Sequence, residues 1–313
     1  MRFLAVALIL LSAPAPVAVQ ADGAFTLRAT GSDNRVNLNL QSGGAEGLRS
    51  ESREGHSNYG RTIERSAFTV TNQRDGQLAI TLRRDAGTFT LEGRGSMERA
   101  SGWYTFTPNP AFKKDIEGLG FRQVNDRALF VFALDDLTID GLKQLQRLVS
   151  NTPDTDELVR LINHGAGVRY IQAMTDAGFT KLTTEEYRRA RDHGVSADFA
   201  RGMADLGMKL SLDDLIRSRD HGVSLDYVRA MRASGFDVSH DELVRMRDHG
   251  VSASYVESLR ELGYSKLSAD ELVRLHDHGV TAGYVKRIQD LFKERPSVEQ
   301  LISLRSGGDI TRR

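Results

Sequence analysis

The sequence predicts an α+β protein of two domains, a small mainly-β domain followed by an α-hairpin repeat solenoid. Three observations carry this. Apolar and polar residues alternate through stretches of residues 22–137, the tetrapeptide Asp-His-Gly-Val recurs from Asp192, Asp220, Asp248 and Asp277, and no proline lies between Pro153 and Pro296. Alternation places one face of a strand on a core. A period of about 20–50 residues marks stacked units that cannot bury their apolar faces alone. Proline breaks helices, so its confinement to the borders delimits a helical array.

Residues 1–21 read as a signal peptide. Met1-Arg2 supplies the basic start, Phe3–Leu11 is an unbroken apolar run, Ser12–Pro16 breaks any helix, and Val19-Gln20-Ala21 suits cleavage after Ala21. Export to a periplasm or the cell exterior is expected, with an uncleaved amino-terminal anchor as the alternative. No later stretch stays apolar for about 18 residues, so no integral membrane span is expected after signal removal. The 313 residues contain no cysteine, which excludes disulfides, thiolate nucleophiles and cysteine–zinc sites. The 42 basic and 42 acidic residues balance, which removes the electrostatic footprint of a nucleic-acid partner.

Residues 22–150 form the mainly-β domain with a connecting helix over Thr138–Val149. Val36, Leu38 and Leu40 alternate in Arg35–Gln41, as do Leu78, Ile80 and Leu82 in Gln77–Arg83. Gly87–Glu92 and Gly102–Thr107 look like two versions of one strand, joined by a long polar loop over Gly93–Ser101. Ala128–Leu134 is expected as the most apolar and most buried strand. Ser42–Gly60 reads as an exposed loop, and Asn109–Gly118 as a short helix with Pro110 in its first turn. His56, Ser57, Asp75 and Glu92 show no triad spacing and read as surface polar residues. Trp103, the only tryptophan, either anchors the core of the sheet, the commoner role, or stacks on a sugar or peptide.

Residues 154–306 hold the helical repeats. His164, His193, His221, His249 and His278 stand 29, 28, 28 and 29 residues apart. Each first helix opens on a capping box: Asp154/Glu157, Thr183/Glu186, Ser211/Asp214, Ser239/Glu242 and Ser268/Glu271. A hydrophobic staple accompanies it from the second unit, pairing Leu182, Leu210, Val238 and Leu267 with Tyr187, Leu215, Leu243 and Leu272. The His-Gly steps at His193-Gly194, His221-Gly222, His249-Gly250 and His278-Gly279 cap the helix, because glycine adopts the left-handed conformation a helix end requires. Second helices open at Ser196, Ser224, Ser252 and Thr281. Ser297–Ser306, with a Ser297/Gln300 box, is a lone capping helix, and 307–313 a flexible tail.

Fixed-spacing histidines invite a metal reading, yet repeat neighbours sit near 10 Å apart, too far to share one ion. A structural role at the helix ends is preferred, and no metal, cofactor or catalytic residue is assigned. Arg160, Arg189, Arg217, Arg245 and Arg274 occupy one position in all five units. They read as solvated partners of the capping acid at i,i+3, or as a guanidinium ladder for the carboxylates of a peptide or acidic glycan.

The unit Leu267–Val285 resembles repeats of bacterial envelope proteins, including carboxyl-terminal extensions of membrane zinc peptidases of the β-lactam-sensor type. Gly87–Gly93 through Gly102–Phe112 is similar to the four-fold β-flower domain that accompanies such repeats. The resemblance implies an envelope or sensory setting. It implies no peptidase activity, since the peptidase part is missing, and it transfers no catalytic residue. The function expected is that of a non-enzymatic exported scaffold whose helical array meets a protein or peptide partner in the envelope. The alternative is a small-ligand or glycan-binding β domain with the array as spacer.

Overall fold

A computed structural model describes residues 21–31, 34–42, 58–236 and 239–307. All but the last residue of the expected signal peptide, His56, Ser57, the staple residue Val238 and all but the first residue of the expected tail lie outside them. The chain forms two compact units, one reaching to Arg147 together with Thr152–Ile162, the other Leu148–Asn151 with residues from Asn163 onward.

The first unit is built on a seven-stranded antiparallel sheet: β1 (Ala21–Ala29), β2 (Arg35–Ser42), β3 (Asn58–Glu64), β4 (Phe68–Arg74), β5 (Gln77–Arg84), β6 (Gly87–Gly95) and β7 (Arg99–Pro108). Their order is β3-β2-β1-β7-β6-β5-β4. Alternation works as the sequence implies. Phe25, Leu27, Val36, Leu38, Leu40, Leu78, Ile80, Leu82, Phe89, Leu91, Tyr104 and Phe106 are buried on one face, and the residues between them face outward. Each such side chain contributes about 1.5–3 kcal/mol on burial.

Helices α1 (Pro110–Gly118), α2 (Asp126–Leu134), α3 (Ile139–Leu148) and α4 (Thr155–Asn163) follow. The segment expected as the most buried strand is α2. Its burial is correct and its geometry is not: Ala128 to Leu134 are all buried, and the Asn125 side chain caps the helix by accepting from the Ala128 amide at 2.8 Å. A short apolar run carries no periodicity to separate a wholly buried helix from a buried strand. Helix α2 packs on β5, β6 and β7, where Phe130 meets Phe89 at 5.1 Å and Phe106 at 5.3 Å between ring centres. Asp135, after its end, binds Arg61 of β3 at 2.8 Å.

Instead of the expected long loop at Gly93–Ser101, β6 and β7 pair through to Gly95 and Ala100. Gly93 and Gly102 face each other, and a Cβ on Gly93 would lie 2.1 Å from the Ser101 carbonyl oxygen. These glycines permit close strand approach; Gly102 lies in a strand as expected, whereas Gly93 was expected in the loop.

The second unit contains α5 (Val168–Asp176), α6 (Thr184–Asp192), α7 (Ala197–Asp205), α8 (Leu212–Asp220), α9 (Leu225–Ala233), α10 (His240–Asp248), α11 (Ala253–Glu261), α12 (Ala269–Asp277), α13 (Ala282–Phe292) and α14 (Val298–Arg305). Alternate helices stack in two layers: α5, α7, α9, α11 and α13 form one, and α8, α10, α12 and α14 run through the other. The expected capping boxes are complete at Thr183, Ser211, Ser239, Ser268 and Ser297. The His-Gly-Val step is a Schellman motif. At the second unit Gly194 has φ +72°, its amide donates to the Arg191 carbonyl, and Val195 donates back to Ala190 at 2.9 Å. None of the helices among the described residues is long and apolar enough to cross a membrane.

Candidate functional site

The repeat histidines and arginines join one unit to the next. The Nδ1 atoms of His164, His193, His221 and His249 lie 2.6, 2.7, 2.6 and 2.9 Å from carboxylates of Asp192, Asp220, Asp248 and Asp277. Each aspartate opens the Asp-His-Gly motif of the following unit. A carboxylate only accepts, so Nδ1 carries the proton and is committed to this bond. Among the described residues no group of three or more histidine and acidic side chains converges as a metal site.

Arg189, Arg217 and Arg274 likewise reach forward, to Asp213 at 2.5 Å, Asp241 at 2.5 Å and Glu299 at 2.7 Å, and Arg245 pairs with Asp270. The expected partner was the capping acid on the same helix at i,i+3. The observed partner is the residue just before the capping acid of the next unit. Sequence spacing along one helix contains no information on this, because the contact arises only on stacking. Arg160 is exposed on α4 in the first unit. The ladder of cations is therefore largely neutralised from within. Glu299, held by Arg274, has its carboxyl pKa lowered.

A Ser–His–Asp arrangement that sequence spacing does not reveal occurs between α8 and α10. Ser218 Oγ lies 2.8 Å from His240 Nε2, and His240 Nδ1 lies 3.7 Å from the Asp214 carboxylate. It is not a catalytic triad. Ser218 is 0% exposed, and its hydroxyl proton goes to the Asp214 carbonyl at 2.9 Å, so Nε2 must donate to Oγ rather than remove its proton. Burial lowers the pKa of His240.

The remaining candidate, Trp103, contradicts the core-anchor reading. It is 71% exposed on the outward face of β7, between Ala24 of β1 and Glu92 of β6. Strand alternation sends Tyr104 inward and Trp103 outward, a parity the apolar neighbourhood of Gly102–Thr107 masks in sequence. The outward face around it is polar: Thr26 of β1, Thr90 of β6, and Ser101 and Thr105 of β7. One strand beyond Ala24 lies a small cavity of about 60 Å³ lined by Ala24, Phe25, Thr26, Asn39, Gln41 and Asn58. Asn39 and Gln41 were legible as the outward set of an alternating strand. Asn58 was not, being assigned to a loop.

Compared with known protein families, curated proteins and solved structures, the chain matches none.

Proposed function

We propose that this is a non-enzymatic, exported ligand-binding protein whose sheet presents Trp103 to a glycan, with the helical array as a stiff spacer. The observation supporting this is the exposure of the sole tryptophan on an otherwise polar sheet face. A soluble domain leaves such a ring in water at a cost, and a flat aromatic surface ringed by hydroxyls matches the C–H face and hydroxyl edge of a sugar. The resemblance of the repeats to envelope proteins supports the setting. Because Trp103 is alone, its fluorescence reports directly on the site. Titrating the full chain with soluble cell-wall glycans should shift its emission and release heat, and Trp103→Ala should abolish the heat while leaving the circular dichroism spectrum intact. Heat undiminished in Trp103→Ala would remove the sheet face as the site.

A second reading keeps the array as a scaffold for a protein or peptide partner. The observation favouring it is a shallow groove of about 380 Å³ between α9 and α11, lined by Ala230, Ala233, Ser234, Ala253, Ser254, Glu257 and Arg260. This reading shifts the contact surface from the arginine face to the layer of second helices. Ala230→Arg with Ala253→Arg should block partner capture in envelope cross-linking, and unchanged capture would dismiss the groove.

A further inference from the structure

We infer that the glycan carries 2-acetamido sugars, with the ring seated on Trp103 and an acetamido branch entering the cavity beside Ala24. This rests on the glycan-binding reading and goes further by naming the sugar class. Three features of the cavity lead to it.

The first is size and position. At about 60 Å³ the cavity is far below the ~300 Å³ at which pockets begin to engulf a ligand, so it takes a branch and not a ring. Ala24 pairs with Trp103 on one side and Gln41 on the other. At about 4.8 Å between strands, the lining runs from Ala24, about 5 Å from the Trp103 strand, through Asn39 and Gln41 at about 10 Å, to Asn58 of β3 at about 14 Å. A substituent on a ring stacked at Trp103 and leaning toward β1 enters it from the Ala24 side. Ala24, which projects only a methyl group, lines its near side.

The second is chemistry. Asn39, Gln41 and Asn58 each offer an exposed side-chain amide with both donors and an acceptor, and among the described residues none of these three side chains is paired within the protein. An acetamido group presents one N–H and one carbonyl, which neighbouring amides satisfy together, while its methyl group meets that of Ala24. Among the described residues no charged side chain lines the cavity, and to these a neutral branch is better suited than a carboxylate or phosphate.

The third is the local backbone. Gly60 stands opposite Asn39 across the β2–β3 pair, and a Cβ there would lie 2.7 Å from Asn39 Oδ1. Glycine at this strand position costs β propensity and leaves room for the Asn39 amide to lie where it does.

The same acetamido chemistry occurs in chitin-type chains and in the backbone of peptidoglycan, so the experiment uses both. Full-chain protein is titrated by calorimetry with chitotetraose, with soluble peptidoglycan backbone freed of its peptides, and with cellotetraose, which differs from chitotetraose by carrying hydroxyls in place of acetamido groups. At least one acetamido glycan should bind about tenfold or more tighter than cellotetraose, the equivalent of about 1.4 kcal/mol. Which of the two binds better names the source. Gln41→Leu and Gly60→Ala, checked for folding by circular dichroism, should each lower the preference several-fold while Trp103 fluorescence still responds to cellotetraose. Equal binding of all three glycans would overturn the acetamido assignment and leave the glycan-binding reading standing. No heat and no fluorescence change with any of them would overturn both.

Discussion

Each second helix carries an aromatic ring that reaches the next unit, and its hydroxyl can be tested in isolation. Tyr170, Tyr227 and Tyr255 donate to the carbonyls of Val195, Val251 and Val280 at 2.9, 2.9 and 2.7 Å. The equivalent ring of the second unit is Phe199, which lacks the hydroxyl. The rest of the environment is shared: the Arg219 guanidinium lies 5.1 Å from the Phe199 ring centre and Arg247 lies 4.9 Å from that of Tyr227. Tyr227→Phe therefore removes one buried hydrogen bond and keeps both the packing and the cation. Burial also pushes the Tyr227 hydroxyl up to about 12, so it stays a protonated donor throughout the neutral range. A neutral bond of this kind contributes about 0.5–1.5 kcal/mol, and Tyr227→Phe should cost that much. Phe199→Tyr should recover up to about 1 kcal/mol, less whatever desolvating the new hydroxyl costs. Urea denaturation of the full chain, followed by circular dichroism, should show the midpoint moving in opposite directions for the two variants with slopes unchanged. A neutral Tyr227→Phe, or a Phe199→Tyr that destabilises, would refute the stacking role of the hydroxyl.

Four further outcomes follow from the same geometry. Gly222 has φ +70° and a Cβ there would sit 3.3 Å from the flexible tip of Arg247, so Gly222→Ala should cost about 1–2 kcal/mol through backbone strain. Gly283→Ala, in α13 with nothing within 4 Å of the added Cβ, should gain up to about 1 kcal/mol in the same urea assay. Burial depresses the pKa of His240, and Ser218, Asp214 and Arg217 of α8 and Asp241 of its own helix face it. The unfolded chain then binds the proton more tightly. Stability is full above the ordinary value of 6.5, falls as pH drops below it and levels off once the folded state is protonated. Thermal melts of His240→Leu should show a shallower loss than wild type between neutral pH and about pH 5. A double-mutant cycle on Arg217 and Asp241, both well exposed, should give coupling of only about 0.2–1 kcal/mol that salt suppresses. Coupling well above that would mean the arginine ladder is a principal clamp of the array.

The fold class and the helical repeats were legible because their signals are local. Ser211 and Asp214 meet within one turn, and Gly194 acts through its own φ. What was hidden depends on contacts between segments distant in sequence. The true partner of Arg217 lies 24 residues on, and appears only when units stack. Helix α2 was misread because seven consecutive buried residues carry no period. Trp103 was hard to place because the decisive fact is parity. In Gly102-Trp-Tyr-Thr-Phe-Thr the inward set is Tyr104 and Phe106, and the larger Trp103 takes the outward set. Asn58 joined the candidate cavity only through its pairing with Gln41 across the sheet.

Self-similarity within the chain marks what each unit requires from its neighbour, and that changes how its loudest motif should be interpreted. The aspartate of each Asp-His-Gly step serves the preceding unit's histidine, the arginine before it covers the preceding aromatic ring at Arg191, Arg219 and Arg247, and the glycine permits the turn that brings them together. In α14, Arg305 still covers Tyr284 at 5.2 Å and Glu299 still holds Arg274, but Ser306 stands where earlier units carry the aspartate. Each element of the motif thus answers a contact with an adjoining unit, as a stacking code should and a ligand-binding code need not. A side chain used to join units is saturated by that role. Recognition of an outside molecule is better sought in single-copy features with unspent exposed surface, and among the described residues the exposed Trp103 ring, on the same sheet face as the Asn39, Gln41 and Asn58 amides, is such a feature.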